Sequence, residues 1–273
     1  MTYKLLLIVV GLIYTIGLHA QEIRHPNNYP NSRCFRCSSR EDWQVISNAA
    51  LVQTSPFNRV LHFSFKQKND IKHYATVSFI SNDILITARH CVNEKEQLEY
   101  IELYSPFKNN WIKLNKNEYE VYYYTPEFKG FENDIALIKI TNKLKLKSLY
   151  QGHFKVIDNG LGRNIEKFSV NISGFPCIKF AINSTAPDTL VNRSTSSTLF
   201  KLNLAKNMIG YPICICAGDS GGPIWYKADG GEYYIIGVHQ GSNSNEQEFE
   251  DINLNIGVYI NEKVKQWIDS IVK

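Results

Sequence analysis

Past Val52 the chain alternates between short runs rich in β-branched and aromatic residues and clusters of Asn, Asp, Gly and Lys, the pattern of strands joined by turns. Leu61–Phe65, Thr76–Ile80, Ile84–Thr87, Glu99–Leu103, Val121–Tyr124 and Ile135–Ile140 predict a first group of strands. Phe168–Ser173, Leu199–Leu202, Pro223–Tyr226, Tyr233–His239 and Gly257–Ile260 predict a second. No long helical stretch separates the groups, so an all-β chain with two antiparallel barrels in tandem fits the pattern better than alternating strands and helices. The end of the chain departs from this. Val264, Trp267, Ile268 and Ile271 recur at helical spacing after a candidate N-cap at Asn261, which predicts one amphipathic helix packed on a barrel.

The N-terminal portion reads differently. Lys4, the apolar run Leu5–Leu18 and the small residue Ala20 before Gln21 have the form of a signal peptide over residues 1–20. The run falls short of the roughly 20 apolar residues that span a bilayer, so the expected product is secreted or periplasmic, without stable membrane association after cleavage. Residues 21–50, rich in Asn, Pro, Ser and Arg, read as an arm or pro-segment ahead of a domain over 51–273.

Composition narrows the function. The 273 residues are 44% hydrophobic and 21% charged, which is ordinary for a globular protein. The net charge of +4 is dispersed among acidic residues and no nucleic-acid motif occurs, so nucleic acid is excluded as a partner. Export permits disulfides among the six cysteines, Cys34, Cys37, Cys91, Cys177, Cys214 and Cys216. Cys34 and Cys37 form a CxxC, but no second pair or histidine couple completes a metal cage, which favours a structural cross-link. The Asn-x-Ser/Thr sites at Asn171, Asn183 and Asn192 are glycosylation acceptors only in a host that performs the modification.

The most informative stretch is Gly218-Asp219-Ser220-Gly221-Gly222-Pro223. A reactive serine needs a tight turn that exposes its hydroxyl and aims backbone N–H groups at one point, and glycines permit that turn. The N–H groups of Gly218 and Ser220 are the candidate oxyanion hole. The hydroxyl needs a base, for which His90, just after a predicted buried strand, is the candidate, and the base needs a buried carboxylate, for which Asp134 is the candidate. A lone histidine beside a strand is ordinarily structural, and GDSG alone can be a turn. Together, in the order His, Asp, Ser, they follow the chain order of the chymotrypsin triad rather than the subtilisin or α/β-hydrolase order.

TARHC, NDIAL and GDSGGP resemble the trypsin-like serine peptidase superfamily, and Gly174-Phe175-Pro176, Ile236–Gly241 and Gly257–Val264 resemble its bacterial V8-like, glutamyl-endopeptidase-type branch. The resemblance spans about Val52 to Lys273. It implies a chymotrypsin-like fold of two six-stranded Greek-key barrels, a triad between them, and hydrolysis of peptide bonds through an acyl-enzyme, with no metal or cofactor and with the chain acting as a monomer. It also implies substrate-binding roles for Cys214, Ile215, His239 and Gly241.

Three departures qualify the resemblance. Asp219 precedes the nucleophile as in trypsin-type zymogens, but no Ile-Val-Gly-Gly terminus is present, so activation by a cut between Arg40 and Val52 and activity without a cut both stand. Cys91 lacks the upstream cysteine that usually pairs with its counterpart; it is either free or paired with Cys34 or Cys37, while Cys177 with Cys214 or Cys216 would brace the pocket. The pocket position six before the nucleophile is Cys214, followed by Ile215, and neither is charged, which argues against Arg or Lys specificity. His239 could take a substrate carboxylate, but Ile215 stands where a hydroxyl residue is expected. Two further readings are an inactive peptidase-fold binding protein, opposed by the intact triad, and an esterase sharing the acyl-enzyme chemistry.

Overall fold

The computed structural model describes residues 34–35, 42–46, 54–67, 72–92, 98–127, 130–157, 169–176, 190–196, 200–242, 249 and 254–273. The expected signal peptide over residues 1–20, Cys37, Cys177, Asn183 and the predicted strand positions Phe168 and Leu199 lie outside them. The N-terminal arm contributes β1 (Cys34–Phe35) and β2 (Asp42–Ile46). The first half contains β3 (Val60–Gln67), β4 (Lys72–Phe79), β5 (Ile84–Thr87), β6 (Leu98–Ser105), β7 (Asn110–Asn115), β8 (Tyr119–Tyr123) and β9 (Ala136–Ile140). A short helix, α1 (Lys143–Lys147), is capped by the Asn142 side chain, which accepts from Lys145 N–H at 3.1 Å.

The second half contains β10 (Lys155–Val156), β11 (Ser169–Gly174), β12 (Leu190–Ser196), β13 (Lys201–Asn203), β14 (Met208–Tyr211), β15 (Ile215–Cys216), β16 (Pro223–Lys227), β17 (Tyr233–Ser242) and β18 (Asn255–Tyr259). The chain ends in α2 (Glu262–Val272). Asn261 caps it as expected, accepting from Val264 N–H at 3.0 Å, and Val264 and Ile268 are buried against the body of the protein.

Two curled, largely antiparallel sheets result, as the resemblance implies. The first has seven strands in the order β7-β6-β3-β4-β5-β9-β8. The second has nine, on the path β13-β14-β18-β17-β16-β11-β12-β2 with β10 parallel to β17. Both exceed the six strands expected, because further strands add to each: β7 on the first, β13, β2 and β10 on the second. In the central strands both faces are covered; β5 is buried at every position, and each Ile or Leu so buried is worth about 1.5–3 kcal/mol.

The arm adds β2 to the second sheet and β1 to a separate two-stranded sheet with β15. β2 pairs antiparallel with β12, and Ile46, 2% exposed, joins the core. β1 pairs with β15, placing Cys34 opposite Cys216. This decides between the two alternatives for Cys91. Cys91 is a buried free thiol, so no bridge ties the arm to the first half through it; the arm is held by backbone ladders to the second half instead.

Candidate active site

His90 and Asp134 meet because β5 and β9 are neighbours. Thr87, the last residue of β5, lies opposite Ala136, the first of β9, so the turns leaving one strand and entering the other leave the sheet at the same place. His90 sits in a 3-10 turn over Arg89–Cys91, and Asp134 follows a second such turn over Phe131–Asn133. The carboxylate grips His90 twice: Oδ2 is 2.7 Å from the ring Nδ1, and Oδ1 accepts from the His90 backbone N–H at 2.7 Å. The Asp134 side chain is 2% exposed and that of His90 is 40% exposed, so a buried anion holds a ring that reaches the surface. An anion on Nδ1 fixes the proton there and leaves Nε2 as the basic nitrogen. Burial disfavours the imidazolium, but the adjoining Cys91 sulfur and the Asp134 carboxylate outweigh it and hold the His90 pKa well above the usual histidine range.

Neighbouring groups hold this turn. Arg89, 3% exposed, donates to the carbonyls of Thr125 at 2.7 Å and Pro126 at 3.1 Å, and its guanidinium lies 4.4 Å from the Tyr123 ring centroid. The chain leaving β8 toward Asp134 is thereby tied to the residue beside His90.

The Ser220 loop belongs to the second half but is held by the first. Thr76, on β4 and fully buried, donates its N–H to Ser220 O at 2.8 Å and its hydroxyl to Gly218 O at 2.9 Å. The same hydroxyl accepts from Phe175 N–H at 3.0 Å. Thr87 Oγ1 donates to Thr76 O at 2.9 Å. Gly218 and Gly221 have φ of +96° and +85°, which L side chains rarely adopt. A Cβ on Gly221 would overlap Thr87 Oγ1 and Thr76 O and press on Ala88 N, so the residue after Ser220 packs against the turn that carries His90. Among the described residues, neither the Gly218 N–H nor the Ser220 N–H donates to a protein acceptor. Asp219 is fully buried, and its Oδ2 accepts from Cys216 N–H at 2.8 Å.

Gln240, which sequence reasoning passes over, links the pieces. A bulge in the pairing of β17 with β18 between His239 and Gly241 leaves it as the extra residue. Its carbonyl accepts the Ser220 hydroxyl at 3.1 Å, and its side-chain amide donates to Phe131 O, which also accepts the Asp134 N–H at 3.1 Å.

The family model of Trypsin matches residues 50–268. This chain belongs to the trypsin family. Among solved structures it is similar to a Glu endopeptidase determined in complex with MPD, at 17% identity and a TM-score of 0.59 over 84% of this chain and 96% of that one. It is also similar to the protease Anisep from Arthrobacter nicotinovorans, at 15% identity and a TM-score of 0.58 over 80% and 97%. At these identities the likeness is one of fold. No curated protein sequence matches.

The remaining positions singled out in this trypsin-family chain lie around the same loop. Cys214 and Ile215 are buried at and just before β15. Gly241 follows the bulge, with open space where a Cβ would stand. His239 is 1% exposed, and its Nδ1 lies 2.5 Å from the Tyr211 hydroxyl. That hydroxyl donates to Ile256 O at 3.0 Å, so its single proton is committed and His239 Nδ1 is the donor to it. Gln240, Thr76 and Arg89 emerge only from the fold, since bulges and cross-barrel contacts leave no local sequence signal.

Proposed function

We propose that this trypsin-family chain is an exported serine endopeptidase in which His90, Asp134 and Ser220 form the catalytic triad. The double grip of the buried Asp134 carboxylate on His90 carries the reading, because a base fixed in tautomer and orientation is what serine activation requires. In the reaction Ser220 Oγ leaves the Gln240 carbonyl, gives its proton to His90 Nε2 and attacks the scissile carbonyl carbon. The oxyanion then receives the free N–H groups of Gly218 and Ser220, each donor worth about 2.7–4 kcal/mol in such sites. Collapse breaks the C–N bond, His90 returns the proton to the leaving amine, and water repeats the cycle on the acyl-enzyme.

Side-chain preference is read from His239. With Nδ1 donating to Tyr211, a neutral His239 has no proton on Nε2, so it binds a substrate carboxylate only when protonated. A preference for Glu over apolar residues at the scissile bond would therefore strengthen as pH falls. Cys214 and Cys216 are disulfide-bonded in this reading, and Cys34 lies opposite Cys216 in the β1–β15 register. Residues 1–20 direct export. Among the described residues no helix is long and apolar enough to cross a membrane. Activation by a cut between Arg40 and Val52 belongs to the same proposal and is read by N-terminal sequencing of the active protein.

One observation favours a second reading, a non-catalytic binding protein: the Ser220 hydroxyl rests on the Gln240 carbonyl. A fluorophosphonate probe decides between them. Labelling of Ser220, absent in Ser220→Ala, together with cleavage of peptide and not only ester substrates, supports the peptidase. No labelling, even after limited proteolysis of the arm, overturns it.

A further inference from the structure

A second polar constellation lies where the two halves join. Arg59 stands in the 3-10 turn before β3, Tyr150 and His153 in the segment after α1, and Tyr233 at the start of β17. The Arg59 guanidinium lies 5.6 Å from the centroid of the Phe154 ring and 5.1 Å from that of Tyr233. These contacts engage the charge and use none of the N–H donors.

Among the described residues the Arg59 guanidinium has no carboxylate partner and no hydrogen bond, and its Nε is buried. Burial draws its pKa below the usual arginine value, with the Tyr233 and Tyr150 hydroxyls opposing the change only in part. The neighbouring carboxylate, Glu232, is already committed to Lys155 and to the Tyr234 hydroxyl, 2.8 Å away. The Tyr150 hydroxyl lies 2.7 Å from His153 Nδ1. Burial, Arg59 and Lys155 together lower the His153 pKa. Among the described residues the patch offers guanidinium donors and positive charge with no uncommitted anion to receive them.

We propose that Arg59, flanked by Tyr150 and His153, forms a binding site for a small oxyanion at the junction of the two halves. A carboxylate, sulfate or phosphate matches the guanidinium fork, which pairs such groups through two parallel hydrogen bonds. Because Arg59 and Phe154 come from one side of the junction and Tyr233 from the other, an anion bound there stabilises the folded chain by mass action.

The test titrates the mature protein with sodium sulfate, sodium phosphate or sodium acetate against sodium chloride at constant ionic strength, following thermal unfolding. Intrinsic fluorescence supplies a second readout, since the Trp225 ring lies 5.6 Å from Tyr233 and 6.1 Å from Phe154. The expected result is a saturable rise in Tm and a saturable fluorescence change with at least one oxyanion, both lost in Arg59→Met. The arm that saturates at the lowest concentration identifies the preferred class. A rise in Tm that is linear in concentration and equal in wild type and Arg59→Met is a general salt effect and overturns the site. Should Arg59→Met fail to fold, the double variant Tyr150→Phe/His153→Ala alters only partly exposed groups. It is expected to weaken oxyanion affinity by about tenfold, the loss of roughly one hydrogen bond, and unchanged affinity in that variant overturns the proposal.

Discussion

The backbone carbonyl of Gln240 accepts the hydroxyl of Ser220 at 3.1 Å, while the side chain of the same residue reaches across to the turn that delivers Asp134. One residue thus touches the proposed nucleophile with its main chain and the turn ahead of the proposed triad carboxylate with its amide. Gln240→Leu removes the amide contact, yet Phe131 O keeps the Asp134 N–H, and the buried Gln240 Oε1, which has no hydrogen-bond partner, disappears. Stability should therefore change by no more than about 1 kcal/mol. The expected outcome is a several-fold fall in kcat/KM with an almost unchanged urea midpoint, and an equal loss in both would assign Gln240 to the fold alone.

The raised pKa of His90 sets the pH dependence. In the proposed role as base His90 acts when neutral, so kcat/KM should climb with pH through a midpoint displaced above the ordinary histidine value of about 6.5. The stability contribution runs the other way. The folded chain holds this proton more tightly than the unfolded one, so the contribution is complete below the unfolded pKa and disappears as pH rises through the folded one. Asp134→Asn should lower kcat by a factor on the order of 10⁴ and move the midpoint down. A pH–rate profile and an NMR titration of the His90 ring check both.

Thr76 is expected to matter more than its side chain suggests. Thr76→Val removes the hydroxyl shared by Gly218 O and Phe175 N–H, leaving two buried backbone groups short of a partner. Each orphaned group costs about 1–3 kcal/mol, which should appear in chemical denaturation together with a lower kcat as the Ser220 loop loosens. Thr76→Ser restores the hydroxyl and should recover most of both.

Gly221→Ala places a methyl group on Thr87 Oγ1 and the Thr76 backbone at a φ of +85°. The expected result is a loss of several kcal/mol, about that of a severe core clash, seen as a depressed Tm or insoluble expression. Ala at Gly230, where no atom approaches the added carbon, serves as the tolerant control.

What the sequence made legible follows from where the signal is local. β5 and β9 were readable because both are continuous apolar runs, buried on both faces, and α2 because its cap and spacing are contained within one segment. The positions of His90, Asp134 and Ser220 were legible for the same reason, each in a short motif. β7 was not: Asn110–Asn115 lies at a sheet edge with Asn, Lys and exposed Trp111, so its pattern resembles a loop. β2 was hidden because its partner, β12, is far away in sequence and its five residues end a stretch rich in Asn, Pro, Ser and Arg. Gln240 stayed invisible because a bulge, not a residue type, turns it toward the site.

The β2–β12 ladder bears on how the protein can be produced and handled. A recombinant chain begun at Val52, where the hydrophobic pattern starts, would strip β12 of its neighbour and take Ile46 out of the core. The exposed row of N–H and C=O groups would then be a template for pairing with another copy. Monodisperse material therefore requires Asp42–Ile46 to stay paired with β12, so an activating cut between Arg40 and Val52 has to leave β2 seated in the sheet.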